Sequence, residues 1–418
     1  MNRLGQFWHY TRKVFALPVR LRSVVDERPQ AEVPAGVITA SLLLGVITRA
    51  GSLLQLQFET QRRGWQKLIG WAERISDDCF VYALERARIS QLRDLLVSIN
   101  RTLKTNKQFE RAKIGGLLVV AIDANEQFKS RSRCCSQCAR RQFEEKGPDG
   151  QMHAVTEYYH RQVYAHINGP AFSAVLDVEP IEPGEDESAA ALRMLGRMRR
   201  LYGARFFDAV TVDAWYTSGP FIKAVELLGW AVVSVLKQER YQIHQEATAL
   251  SKRQPPKQWQ WEDRTVRLWD IRDLEFTDQK VGLVRVVLAD EQWQQNTRVA
   301  GKKVVLPRQS HWRWLVSAKL ANAAPELIWQ IGHRRWGIEN HTFNELTTHY
   351  RLEHCRHHHP VAILAFLLLL VLGFTLFEVF GRVHSKLCRG GKATLKQIAR
   401  EIDHAIEALH DIEPLWSG

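Results

Sequence analysis

Residues 119–125 read VVAIDAN and residues 210–216 read VTVDAWY. An unbroken apolar run in the first and a largely apolar one in the second end on an aspartate, Asp123 and Asp213 respectively. Runs of this kind read as strands buried on both faces. A carboxylate at the end of such a strand is costly to desolvate unless it is paired or binds a metal. The carboxyl edge of an α/β sheet is also where active sites form. An aspartate that merely opens a turn is common, so neither site decides the matter alone.

Working outward, residues 153–167 alternate and carry β-branched side chains until Asn168-Gly169-Pro170 breaks them, and 172–181 form a further strand candidate. Together they predict an antiparallel hairpin. Residues 188–202 predict an amphipathic helix stopped by Gly203. Ser218-Gly219-Pro220 opens another over 221–228, and 231–236 form a third buried strand. Trp314 to Ala318 adds one more candidate. The order is that of a mixed α/β domain. Residues 1–112 read as helical, with Ser76-Asp77-Asp78 as an N-cap cluster ahead of Phe80, Leu84, Ile89, Leu92, Leu95 and Leu96 on one helical face. Residues 241–311 are richer in Gln and Trp and contain strand candidates at 266–269 and 281–288.

The chain has 418 residues, 45% hydrophobic and 25% charged. These are globular values that exclude long disorder and predict more than one domain. Lys+Arg exceeds Asp+Glu by 13, which points to a polyanionic partner, nucleic acid or an anionic membrane. Residues 361–377 are apolar but for Thr375 and are just long enough to span a membrane. A helix covered on all sides has the same pattern, and a core helix is the expectation. The N-terminal residues lack an uninterrupted apolar stretch, so no signal peptide is expected. Six cysteines exclude a disulfide scaffold.

A long helical pattern after Pro325 places Arg335 and Glu339 four apart on one side. With Asp123 and Asp213, Glu339 makes a set of three carboxylates able to hold two divalent cations. Such a pair promotes phosphodiester displacement, and a polyanionic substrate agrees with the basic charge. Around these residues, VVAIDAN, VTVDAWY and HRRWGIENHTFNEL (333–346) resemble the three catalytic blocks of the DDE transposases, most of all the insertion sequence 4-like group.

The resemblance covers about 115–385. It implies an RNase H-like mixed sheet core with a β-rich insertion and a helical N-terminal region. The expected domains are a helical DNA-binding region at 1–112, a catalytic core at 113–240 and 312–385, the insertion at 241–311 and a C-terminal helical tail at 386–418. It implies Asp123, Asp213 and Glu339 as catalytic residues and as ligands of Mg²⁺ (or Mn²⁺). Arg335, Arg334 and Lys237 would bind DNA. The reaction would be cleavage at the element's terminal inverted repeats, then attack of the freed 3′-hydroxyl on target DNA. The expected form is a homo-oligomer on DNA, in the bacterial cytoplasm with the nucleoid and without a membrane partner. The group's motif has a tyrosine three before the arginine and a lysine seven after the glutamate; here these are Gly332 and Leu346, with His333, Arg334 and His341 as replacement candidates. The alternatives are a catalytically decayed DNA-binding protein and an RNase H-like nuclease without strand transfer.

Two further features stand outside that set. Cys135-x2-Cys138, with Cys134 beside it, is half of a structural Zn²⁺ site. Its other half would come from His153, His160 or the His354–His359 cluster, itself read first as a loop. Trp259, Trp261, Trp269, Trp293, Trp312 and Trp314 in and beside the insertion either pack its sheet or stack on a frayed terminal base. Asp177 and Glu179 are peripheral carboxylates.

Overall fold

The computed structural model describes residues 2–170, 172–299, 302–384 and 393–409. Contacts divide the chain into two compact units: Met1–Ala112, Ala124–Ala190 and Glu339–Gly418 form the first, Lys113–Asp123 and Ala191–Ile338 the second. The class is mixed α/β, as expected.

The first unit begins with helices α1 (Arg3–Phe15), α2 (Leu17–Arg22), α3 (Ala35–Thr48), α4 (Leu53–Glu59), α5 (Arg63–Ile69), α6 (Asp77–Glu85) and α7 (Ile89–Thr105). Side-chain caps start three of them: Asn2 accepts from Gly5 N–H at 2.9 Å, Ser52 from Gln55 N–H at 3.1 Å and Ser76 from Cys79 N–H at 3.2 Å. Asp77 and Asp78 sit in the first turn of α6, where the helix dipole favours them. The single apolar face expected from Phe80 to Leu96 is carried by two helices, α6 and α7, with the break at 86–88.

Strand β1 (Val119–Ser130) runs past Asp123, so its second half lies in this unit with β2 (Ala139–Lys146), β3 (Met152–Asn168) and β4 (Ser173–Pro180). The expected hairpin is β3–β4, antiparallel from Gln162 opposite Pro180 to Asn168 opposite Ser173, with a register shift between Ala165 and His166. β2 has no sequence expectation behind it: ARRQFEEK is almost wholly exposed and pairs its whole length with β3.

The apolar run of 361–377 lies in α13 (Pro360–Val379), whose residues from Ala365 to Val379 are all buried. It continues to His384, and that span is the one continuous helix among the described residues long and apolar enough to cross a membrane. Its surroundings account for the composition, since α3, α6, α7 and β4 all pack on it. Thr375 accepts a hydrogen bond from Val175 N–H of β4 at 3.2 Å. Buried Glu378 is held by His341 Nε2 at 2.8 Å and by Arg382. Of the tail expected at 386–418, a helix at Leu395–Glu407 (α14) is described, started by a Thr394–Gln397 capping box. The remainder, 386–392 and 410–418, lies outside the described residues.

In the second unit, the first half of β1, β5 (Ala209–Val212) and β6 (Ala231–Val235) are parallel neighbours, and β10 (Lys302–Val316) continues the sheet antiparallel to β6. β9 (Leu283–Val299), β8 (Arg264–Glu275) and β7 (Lys257–Trp261) follow by antiparallel pairing. Its helices are α8 (Glu187–Tyr202, which starts in the first unit), α9 (Gly219–Leu228), α10 (Gln242–Ser251) and α11 (Pro325–Arg334). α9 opens with Gly219-Pro220 and closes on Gly229 at φ 104°, the left-handed conformation that suits glycine. Val233, Val287, Trp314, Val316, Ile328 and Ile331 lie in its core.

Asp177 and Glu179 are buried on β4 and share one cation, Arg93 of α7. Arg93 Nε lies 3.3 Å from Asp177 and Nη2 3.0 Å from Glu179, and Nη2 also donates to Val178 C=O at 3.0 Å. Arg93→Ala leaves two buried carboxylates short of their counter-charge, so urea unfolding should show a loss of about 3–5 kcal/mol. An unchanged midpoint would mean that the pair is not supported by Arg93.

Candidate active site and its surroundings

The parallel register of β1 and β5 sets the geometry. Val119 lies opposite Ala209, Val120 opposite Val210 and Ala121 opposite Thr211. Continued by two residues, it brings Asp123, within β1, level with Asp213, just past the end of β5, with backbones about 4.8 Å apart. Both are half-buried. Asp213 Oδ1 accepts from Trp215 N–H at 2.8 Å and so caps the short 3₁₀ turn Ala214–Tyr216. Ser234 on β6 donates to Asp213 C=O at 3.1 Å, and the Gln238 amide donates to Ala214 C=O. These two side chains fix the turn that carries Asp213. Neither was legible as a site residue, because each works through a backbone carbonyl.

Two neighbouring carboxylates repel unless a cation lies between or beside them. Arg335 supplies one: its buried guanidinium donates from Nη1 to Asp123 Oδ2 at 3.2 Å. The long regular helix expected here is interrupted. α11 ends at Arg334, Arg335 and Trp336 form a turn, a π-helical stretch runs over Ile338–Phe343, and α12 (Asn344–Tyr350) follows. The i+4 relation of Arg335 and Glu339 therefore does not lie in one straight α-helix. Stretches of π-helix inside helices frequently mark functional sites.

Glu339, in the first unit, is exposed and opens that stretch. The next residues are anchored inside the same unit. His341 bonds Glu378, Thr342 Oγ1 lies 2.6 Å from His166 Nε2, and the Phe343 ring meets Tyr164 edge-on at 5.1 Å. Burial holds His166 down to about 3, so its ring is neutral at physiological pH.

The two departures from the motif have physical reasons, one steric and one of solvation. A Cβ on Gly332 would lie 2.2 Å from Trp314 Nε1, so no tyrosine fits there. Leu346 is fully buried, where a lysine would lose its hydration. Of the replacement candidates, His341 is held by Glu378, and His333 Nε2 bonds Glu291 Oε1 at 2.6 Å. Arg334 and Lys237 are exposed, the latter just beyond the end of β6.

The six tryptophans are engaged in packing. Trp259 and Trp261 meet Trp329, Trp312 stacks on Trp314 at 5.9 Å, the Arg264 guanidinium covers Trp293 at 4.2 Å, and Trp269 donates to Gln254 C=O. Trp215 and Trp336, the immediate neighbours of the Asp213 turn and Arg335, are instead exposed.

Beneath this cluster lies Glu291, fully buried, receiving Trp329 Nε1 at 2.8 Å, Arg264 Nη1 at 2.8 Å and Ser310 Oγ at 3.2 Å besides His333. Burial alone would raise its carboxyl, but the hydrogen bonds from His333, Trp329 and Arg264 outweigh this and hold it below its ordinary value of 4.5. A depressed carboxyl contributes stability that is complete above the unfolded value and is lost as pH falls through the folded one. Glu291→Gln should therefore flatten the acid limb of a pH–stability profile and lower stability at neutral pH by about 3 kcal/mol. Gly332→Ala should cost about 1–3 kcal/mol by overpacking against Trp314. Chemical unfolding measures both.

Of the histidines expected to complete the zinc site, the structure brings His160 and His358 to the cysteine pair. Cys135, Cys138, His160 and His358 place their ligand atoms within 4.8 Å of one another. Cys134 is exposed and outside this group, and His153 pairs with Asp149 at 2.9 Å. The His354–His359 segment is a loop, as expected.

The transposase DDE domain family model matches residues 146–376, more than half of the chain. No curated protein matches in sequence. A piggyBac transposase synaptic complex with hairpin DNA is among the similar solved structures, at 10% identity and a TM-score of 0.41, covering 97% of this chain and 80% of that one. On the family match, the chain belongs to the DDE-domain transposases.

Proposed function

We propose that the protein is an active transposase of the insertion sequence 4-like group, which cuts DNA at the element's terminal inverted repeats and joins the freed ends to target DNA. The observation that carries the reading is the in-register pairing that brings Asp123 and Asp213 side by side, with Arg335 on Asp123. By the motif resemblance, Glu339 is the third catalytic carboxylate. The donors are hard carboxylate oxygens, the kind that Mg²⁺ or Mn²⁺ takes. A divalent cation held there would supply Lewis acidity to the phosphodiester displacement.

The chain's own residues do the rest. Ser234 and Gln238 hold the Asp213 turn in place, so the carboxylate needs no rearrangement when DNA arrives. Arg335 neutralises Asp123 in the resting protein; in the complex it turns its charge toward a scissile-strand phosphate. Exposed Arg334 and Lys237 contact the phosphate backbone. The helical region 1–112 grips the end DNA, 113–240 and 312–385 act as the catalytic core, and 241–311 forms the insertion. A homo-oligomer brings two ends together on the nucleoid, in the cytoplasm.

End cleavage and strand transfer on DNA carrying the element's inverted repeats, with Mg²⁺, test the reading. Asp123→Asn, Asp213→Asn and Glu339→Gln should each lower both steps by about 10³-fold, some 4 kcal/mol of barrier, while salt-sensitive DNA binding persists. Wild-type binding without cleavage would favour a decayed copy, the reading that Gly332 and Leu346 support. Cleavage without joining would favour a nuclease.

A further inference from the structure

We propose that Cys135, Cys138, His160 and His358 form a closed, tetrahedral structural Zn²⁺ site in the first unit. The inference is independent of the transposase reading. The two sulfurs lie 3.7 Å apart, and the two imidazole Nε2 atoms 3.4 Å apart. Sulfur-to-nitrogen separations are 3.4 Å for Cys135–His160, 3.3 Å for Cys138–His160 and 3.1 Å for Cys138–His358. A tetrahedral zinc with bonds of about 2.3 Å to sulfur and 2.0–2.1 Å to nitrogen has edges of about 3.3–3.8 Å. Four of these five separations fall in that range and the fifth, Cys138–His358, is only slightly shorter, whereas a disulfide requires sulfurs about 2.05 Å apart.

The backbone builds the site. Cys135 and Cys138 lie in the turn between β1 and β2, tightened by a hydrogen bond from Cys138 N–H to Cys135 C=O at 3.1 Å. Cys135 N–H also points at Cys138 Sγ, 3.3 Å away, an orientation that favours a thiolate. Ala139 is paired with Tyr159 across the β2–β3 ladder, so one step further Cys138 falls level with His160. The Phe128 ring lies edge-on to His160 at 6.2 Å.

His358 arrives from the loop between α12 and α13, 220 residues after Cys138. Its neighbour His357 is tied to Glu85 of α6 at 2.7 Å, which pins the loop. Two thiolates balance the charge of one Zn²⁺, and four protein ligands leave no position for substrate. The site therefore cross-links rather than catalyses: it fastens the β1–β2 turn and β3 to the entry of α13. A clip that closes so long a loop gains much from the unfolded chain's lost freedom. The sulfur–nitrogen donor set favours zinc over hard Mg²⁺.

The test is metal analysis of the full chain, expressed with zinc and purified without chelator. One zinc per chain is expected. Cys134→Ser and His153→Ala should keep it, and Cys138→Ser or His358→Ala should lose it with a lower melting temperature. Because those last variants can fail to fold, Co²⁺ is also loaded into the wild-type protein. Visible absorption of a tetrahedral thiolate site is expected, and Zn²⁺ should displace it. Metal-free wild-type protein, an octahedral Co²⁺ spectrum, a Cys135–Cys138 disulfide by mass, or full zinc retained by a folded Cys138→Ser variant would each overturn the site.

Discussion

The pairing of β1 with β5 in a single parallel register is the constraint on which the candidate site depends. Side chains alternate across a strand, so a slip of one residue turns every one to the opposite face. Such a slip would take Asp123 out of line with Asp213. The register is protected because Val119, Val120, Val210 and Val212 are all buried. Asp208 Oδ2 adds a bond from Leu118 N–H at 2.7 Å at the start of the pair. The apolar residues that make the strands recognisable thus also hold the aspartates in place.

Much of this was legible because burial on both faces leaves a plain mark. The run leading into Asp123 (in a strand that continues to Ser130), the run ending before Asp213, the third strand at 231–236, the β3–β4 hairpin and the capped start of α6 all appear where composition puts them. What escaped was structure without an apolar signature. β2 is Arg- and Glu-rich and owes its existence to β3, so no alternation announced it. The π-helical stretch goes with packing just after Glu339: His341, Thr342 and Phe343 each answer a partner whose position no local pattern encodes. Position 332 is glycine because of Trp314, a neighbour supplied by a different strand. The cysteine pair was visible, but His358 was one histidine among several until the fold brought it near.

Charged groups inside the two units follow one rule. Glu291, Glu378 and the Asp177–Glu179 pair are each buried, and each has a named cation, histidine or indole against it. Removing a partner is costly in such places, while the pair itself contributes little net stability. Their value lies in direction. His341 and His333 are committed to carboxylates rather than left for a ligand, and Arg335 is directed at Asp123.

The late position of α13 has a consequence for how the chain is made. α3, α6, α7 and β4 leave the ribosome long before residues 360–379, and until then the surface that will receive α13 has nothing to cover it. The first unit cannot complete its core during most of synthesis. Its closing step is the docking of an already apolar helix into a waiting groove, a pairing between segments far apart in sequence and therefore slow. In that interval both surfaces are exposed to self-association.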